Sequence, residues 1–115
     1  MAKHNTIDVW NKYFGKADEV VDYAGRLMKK SACANPNSKY FPTLEHIRPL
    51  SNGGSNVLEN IIICHRLTNE EKADAFPHWK ANGKKFHAER VRGSSKAYVI
   101  IEHKSSSFTS VEYIL

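Results

Sequence analysis

The chain has 115 residues, 41% hydrophobic and 25% charged, a balance that suits one compact globular domain and excludes collagen-like or disordered chains. Seventeen Lys and Arg against twelve Asp and Glu give a net charge of +5, which favours an anionic partner, nucleic acid being the commonest. No apolar run nears the roughly 18 residues of a membrane span, the start MAKHNTIDVW has no signal-peptide stretch, and Cys33 and Cys64 make no secreted disulfide framework, so a cytoplasmic protein without membrane contact is expected.

Residues 6–30 read as a helical N-terminal extension. Ile7, Trp10 and Phe14 recur at helical spacing behind a Thr6 cap. A second helix from about Lys16 gathers Val20, Val21, Ala24, Leu27 and Met28 on one face and ends in Lys29 and Lys30, cations suited to a helix C-terminus. The stretch SACANPNSKYF is loop. A strand over Thr43–Ile47, a wide turn through Pro49, Gly53 and Gly54, and a β-branched strand over Ile61–Cys64 follow. Thr68 and Glu71 form a T-x-x-E capping box that starts a helix over Thr68–Phe76, stopped by Pro77. Residues 84–115 turn to strands: Phe86–Arg92 and Ala97–Glu102 make a hairpin around Gly93-Ser94, and Val111–Leu115 is a last strand. The fold class is α+β, one domain over 1–115 with its core at 43–76.

Chemistry concentrates in TLEHIRPLSNGGSNVLENIIICHRLTNEEKAD, Thr43 to Asp74. Neighbouring strand residues point to opposite faces, so Glu45 and His46 share a site only where the strand ends or bulges, which the turn after them permits. The second strand returns antiparallel and delivers a helix whose start brings Asn69 towards Glu45.

These residues resemble the HNH endonucleases and their ββα-metal fold. In that family an acid-His pair is followed by Pro, a Gly-Gly turn, an Asn, a short apolar strand, and a helix carrying His or Asn three residues before a Lys. Glu45-His46, Pro49, Gly53-Gly54, Asn60, Ile61–Ile63, Asn69 and Lys72 occupy those places in order. The resemblance implies that His46 is the general base, an imidazole being suited to take a proton near neutral pH. Asn60 would hold the His46 ring and brace the turn, while Glu45 and Asn69 would bind one divalent metal that offsets charge on the scissile phosphate. Arg48, Arg66 and Lys72 flank the site as phosphate contacts, and Lys84, Lys85, Arg90 and Arg92 would extend a basic track along the hairpin.

The sequence departs from the usual pattern at two ligand positions. Glu45 stands where Asp is commoner, and Asn69 where His is frequent. A carboxylate plus an amide oxygen make an all-oxygen set, which favours Mg²⁺ or Mn²⁺ over zinc. Relatives often carry two Cys pairs on a structural zinc; the corresponding positions, Cys33/Pro36 and His65/Thr68, leave no tetrahedral set, so no structural zinc is expected. His78, His87 and His103 show no ligand spacing and read as surface residues. The resemblance implies a metal-dependent endonuclease acting on DNA, as a homodimer or with a partner protein. The alternative is a nucleic-acid-binding module that keeps the shape without turnover.

Overall fold

The computed structural model describes residues 3–104 and, as backbone, 110–114. The first element is a helix, α1 (Thr6–Phe14), with Val9 and Trp10 buried. Its cap is Asn5 rather than Thr6: the Asn5 Oδ1 accepts from the Ile7 and Asp8 amides at 2.9 and 3.4 Å. Trp10 donates its indole N–H to the Ala17 carbonyl at 2.9 Å and meets Phe14 edge to face.

The expected second helix is absent. Residues 16–30 instead form a hairpin of β1 (Glu19–Val21) and β2 (Leu27–Lys29), in register from Glu19↔Lys29 to Val21↔Leu27. The reason is local. Asp22 accepts hydrogen bonds from the Ala24 and Arg26 amides at 3.0 and 2.9 Å, and Gly25 takes φ 90°. An aspartate bonded to its own following backbone and a left-handed glycine close a turn more firmly than helical spacing holds a helix.

The next two strands follow the sequence reading closely. β3 (Pro42–His46) and β4 (Ile61–His65) pair antiparallel, with His46 opposite Ile61 and Pro42 opposite His65. Every residue of β4 is buried, because its alternate side chains feed two clusters. Ile61 and Ile63 pack with Val9, Trp10 and Met28, whereas Ile62 and Cys64 pack with Tyr23, Trp79, Phe86 and Ile100.

The helix that follows, α2 (Arg66–Lys72), starts earlier than expected. Its cap is His65, whose Nδ1 accepts from the Leu67 amide at 3.0 Å. Thr68 lies inside the helix, fully buried, where its hydroxyl accepts from Arg26 at 3.1 Å. Glu71 turns outward to Arg26 and to the Asn82 amide. The helix ends at Lys72 because Ala73 takes φ 48°, so residues 73–76 lie outside it.

The remaining described strands make a four-stranded antiparallel meander of β5 (His78–Ala81), β6 (Lys84–Arg90), β7 (Tyr98–Lys104) and β8 (Ser110–Ile114). The expected hairpin around Gly93-Ser94 is the β6–β7 pair. β5 is an additional strand, joined to β6 by the two residues Asn82 and Gly83, both at positive φ as a tight hairpin turn requires. The expected final strand corresponds to β8, with Leu115 outside the described residues. No helix among the described residues is long and apolar enough to cross a membrane. The fold class is α+β.

Candidate active site

β3, β4 and α2 form a ββα unit, and its cleft opens at the end of β3. Glu45 and His46 lie there beside Pro49, Leu50 and Ser51 of the following turn and Asn69, Ala73 and Asp74 at the far end of α2, around a cavity of about 340 Å³. The strand does turn Glu45 and His46 apart, as alternation requires. They share the cleft because the strand stops at His46.

Glu45 points inward and is 5% exposed. Neither carboxylate oxygen has a hydrogen-bond partner. Burial pushes its pKa up to about 8, against the pull of the Lys72 charge first and then of the nearby Cys64 thiol and Tyr23 hydroxyl, neither of which meets hydrogen-bond geometry. Lys72 sits on the same side, 1% exposed, its Nζ 4.8 Å over the Trp79 ring and without a hydrogen-bond acceptor. Burial lowers its pKa, while Glu45 acts in the opposite direction. Lys72 was expected to meet phosphate; buried, it is an internal cation beside Glu45.

His46 is half-buried, and its Nε2 lies 2.9 Å from the Asn56 Oδ1. An amide oxygen only accepts, so Nε2 carries the proton and Nδ1 keeps the lone pair. The ring partner expected from the sequence was Asn60. Asn60 instead spends its whole amide on the turn: Oδ1 accepts from the Arg48 amide at 2.9 Å, and Nδ2 donates to the Arg48 and Ser55 carbonyls at 3.0 and 2.8 Å. The turn is further closed by the Gly54 amide on the Pro49 carbonyl at 2.9 Å. A Cβ at Gly54 would lie 1.8 Å from the Arg48 carbonyl oxygen, so only glycine fits.

Asn69 reaches β3 but bonds short of Glu45. Its Nδ2 donates to the Thr43 hydroxyl at 2.9 Å and the Leu44 carbonyl at 3.3 Å. That fixes the amide and leaves its Oδ1 as the atom not used in those bonds. A divalent cation seeks such oxygens: a carboxyl group with no partner, which would give up its proton on binding the cation, and an amide oxygen not otherwise occupied. The donor chemistry of Glu45 and Asn69 therefore fits, with Lys72 as the competing positive charge. Among the described residues, no three His, Cys, Asp or Glu side chains gather into a ready ligand set, so Glu45 and Asn69 are the two side chains that would hold a cation here, and water would complete the shell.

The expected phosphate contacts lie elsewhere. Arg48 is committed internally, with Nε on the Asn52 carbonyl at 2.7 Å, Nη1 on the Tyr98 hydroxyl at 3.0 Å and its guanidinium 5.6 Å from the Phe76 ring. It fastens the turn to the C-terminal sheet. Arg66 lies beside the opposite end of β3, in a shallow depression with Arg26, Lys39 and Tyr40, and pairs with Glu70 at 3.4 Å. His65, which stood for a zinc-ligand position, has its Nε2 on the Lys39 carbonyl at 2.6 Å.

Three residues escaped the sequence reading. Asn56 holds the His46 ring but lies in a loop where any of several polar residues was equally eligible. Lys3 lines a second depression with His46 and Asn56, brought there by the segment ahead of α1. Asp74 reaches the cleft rim only because the chain bends at Ala73.

Residues 23–78 match a family described as HNH endonuclease. Neither a curated protein nor a solved structure gives a significant match. The matched segment runs from the β1–β2 turn to the start of β5 and contains the whole ββα unit with Glu45, His46, Asn60 and Asn69. That segment, just under half of the chain, is similar to the HNH endonuclease family.

Proposed function

We propose that the protein is a metal-dependent endonuclease that hydrolyses DNA phosphodiester bonds with His46 as general base. The observation that carries this reading is the shared cleft of Glu45, His46 and Asn69, in which the buried Glu45 carboxylate has no partner. His46, protonated on Nε2 by its bond to Asn56, takes the proton of the attacking water on Nδ1. Asn60 acts on this ring through the backbone, by holding the turn that begins two residues beyond it. Glu45 and Asn69 would hold one divalent cation, Mg²⁺ or Mn²⁺ by their all-oxygen character. When bound, that ion offsets charge on the scissile phosphate and stabilises the leaving oxygen. Lys3, beside His46, is the exposed cation best placed to meet a flanking phosphate. A two-fold dimer or a partner protein would allow both strands of a duplex to be cut.

A second reading, a nucleic-acid-binding module without turnover, draws on Lys72: a buried ammonium beside Glu45 supplies the positive charge that the carboxylate would otherwise take from a metal. Plasmid nicking with Mg²⁺, Mn²⁺ or EDTA separates the two. The nuclease reading expects cleavage that stops in EDTA and falls about 10²- to 10⁴-fold in His46→Ala. Salt-sensitive DNA binding with no cleavage under any metal would establish the second reading instead.

A further inference from the structure

The sequence separates His78, His87 and His103, but strand register gathers them. His78 lies opposite His87 across β5 and β6, and His103 on β7 is two residues from the partner of His87, so all three project from the same face. That face is turned away from the Trp79 and Phe86 core. The ring centroids are 5.7 Å (His78–His87), 4.5 Å (His87–His103) and 6.4 Å (His78–His103) apart.

The His87 ring is oriented from both sides. Its Nε2 lies 3.0 Å from the Glu89 carboxylate, and its Nδ1 faces the His103 Nε2 in direct contact. The carboxylate places the His87 proton on Nε2, leaving the Nδ1 lone pair aimed at His103. A carboxylate behind one imidazole nitrogen is the arrangement that metal-bound histidines adopt, and the other nitrogen, in contact with His103, carries the lone pair that a metal would take. Spacing agrees: with a metal–nitrogen distance of ~2.0 Å and a further ~1.2 Å to the ring centre, tetrahedral ligation puts centroids ~5 Å apart.

We propose that His78, His87 and His103 form a binding site for a borderline transition-metal cation of the Zn²⁺ type, with Glu89 orienting His87. Among the described residues no three His, Cys, Asp or Glu side chains stand ready to hold a metal ion, so binding requires these rings to rearrange. His103 and His87 part slightly to admit the ion, and His78, exposed at the first position of β5, turns in as the third donor. Lys80 and Lys85, directly opposed beside the cluster, add positive charge that the ion must overcome. They make phosphate the rival occupant. The site lies outside the segment that matches the HNH family except for His78, and it is independent of the nuclease reading.

The test uses the untagged full chain near pH 7.5, titrated with Zn²⁺ by calorimetry and with Cu²⁺ by electron paramagnetic resonance. The expected result is one equivalent of Zn²⁺ and nitrogen hyperfine structure from Cu²⁺. Each of His78→Gln, His87→Gln and His103→Gln should weaken Zn²⁺ binding at least about tenfold, and Glu89→Gln, which removes no ligand, about tenfold. Circular dichroism checks that each variant is folded, and Glu89→Gln, half-exposed, provides the readout should a histidine variant misfold. Cys33→Ser and the double variant Glu45→Gln/Asn69→Ala should leave Zn²⁺ binding unchanged, which separates this site from the candidate active site. Absence of Zn²⁺ binding, binding that survives the histidine variants, or inorganic phosphate bound at this face in place of Zn²⁺ would overturn the proposal.

Discussion

Among the described residues two acidic side chains are buried, in adjoining regions, and they are treated oppositely. At the β1–β2 turn, Asp22 is 6% exposed and accepts three backbone N–H groups, from Ala24 and Arg26 in its own turn and from His65 of β4 at 2.9 Å. At the cleft, Glu45 is 5% exposed and accepts none. A buried carboxylate with its lone pairs filled joins two elements of the fold; one left unfilled destabilises the fold and is retained for what it binds. The first region is structural and the second, on the proposed reading, chemical, though both are equally hidden from water.

The strongest way to break this contrast is to remove each carboxylate. Glu45→Gln should lower Mg²⁺-dependent cleavage by about 10²- to 10³-fold, the scale of losing one transition-state charge stabiliser, while chemical denaturation in EDTA shows no loss of stability. Asp22→Ala should do the reverse: unfolding free energy falls by about 3 kcal/mol as three amides lose their acceptor, and the fraction still folded cleaves at the wild-type rate. Equal stability losses in the two variants would dissolve the distinction.

Acid–base linkage sharpens it further. The Glu45 carboxyl is raised from 4.5 to about 8 in the folded protein, so the native state retains a proton that the unfolded chain releases. Its contribution is therefore fully favourable below pH 4.5 and is lost as pH rises from there through 8. In EDTA, wild type should lose up to a few kcal/mol across that window relative to Glu45→Gln, whose curve lacks this component. Urea midpoints measured at several pH values would read the difference.

Much of the site region was legible because its residues constrain backbone and chemistry together. β-branched Ile61–Ile63, the Pro49–Gly54 turn and the order of Glu45, His46, Asn60 and Asn69 locate the ββα unit. The hairpin at residues 19–29 was hidden because Val20, Val21, Ala24, Leu27 and Met28 fit a helical face as well as two short strands; the Asp22 turn decides between them, and side-chain-to-backbone bonds leave little trace in periodicity. Lys72 was misread for a related cause. Sequence places it one turn after Asn69, but only the packing of α2 on Trp79 shows that it points inward. His87 and His103 meet through register, which no spacing rule supplies.

Two smaller effects test the supports of each region. Asn56→Ala should slow cleavage about five- to tenfold by freeing the His46 ring, the worth of one hydrogen bond, with the pH–rate profile changing along with the rate. At the edge of the structural region, the Arg26–Glu71 pair joins the β1–β2 turn to α2. Arg26 holds the Glu71 pKa below its usual value, so this contribution exists above the unfolded carboxylate range and disappears as pH falls through the lowered one. Because Glu71 is exposed, Glu71→Gln should change stability at neutral pH by less than about 1 kcal/mol.

On the proposed reading, the turn folded against Gly54 has a consequence for how the nuclease can diversify. With a carbonyl oxygen where a side chain would begin and Asn60 gripping both ends of the loop, neither insertion nor substitution there leaves the frame behind His46 intact. New substrate preferences must be written elsewhere. The hairpin ends at Asn82-Gly83 and Gly93-Ser94 hold no part of that frame, so they are where added residues would alter what is cut while sparing the means of cutting.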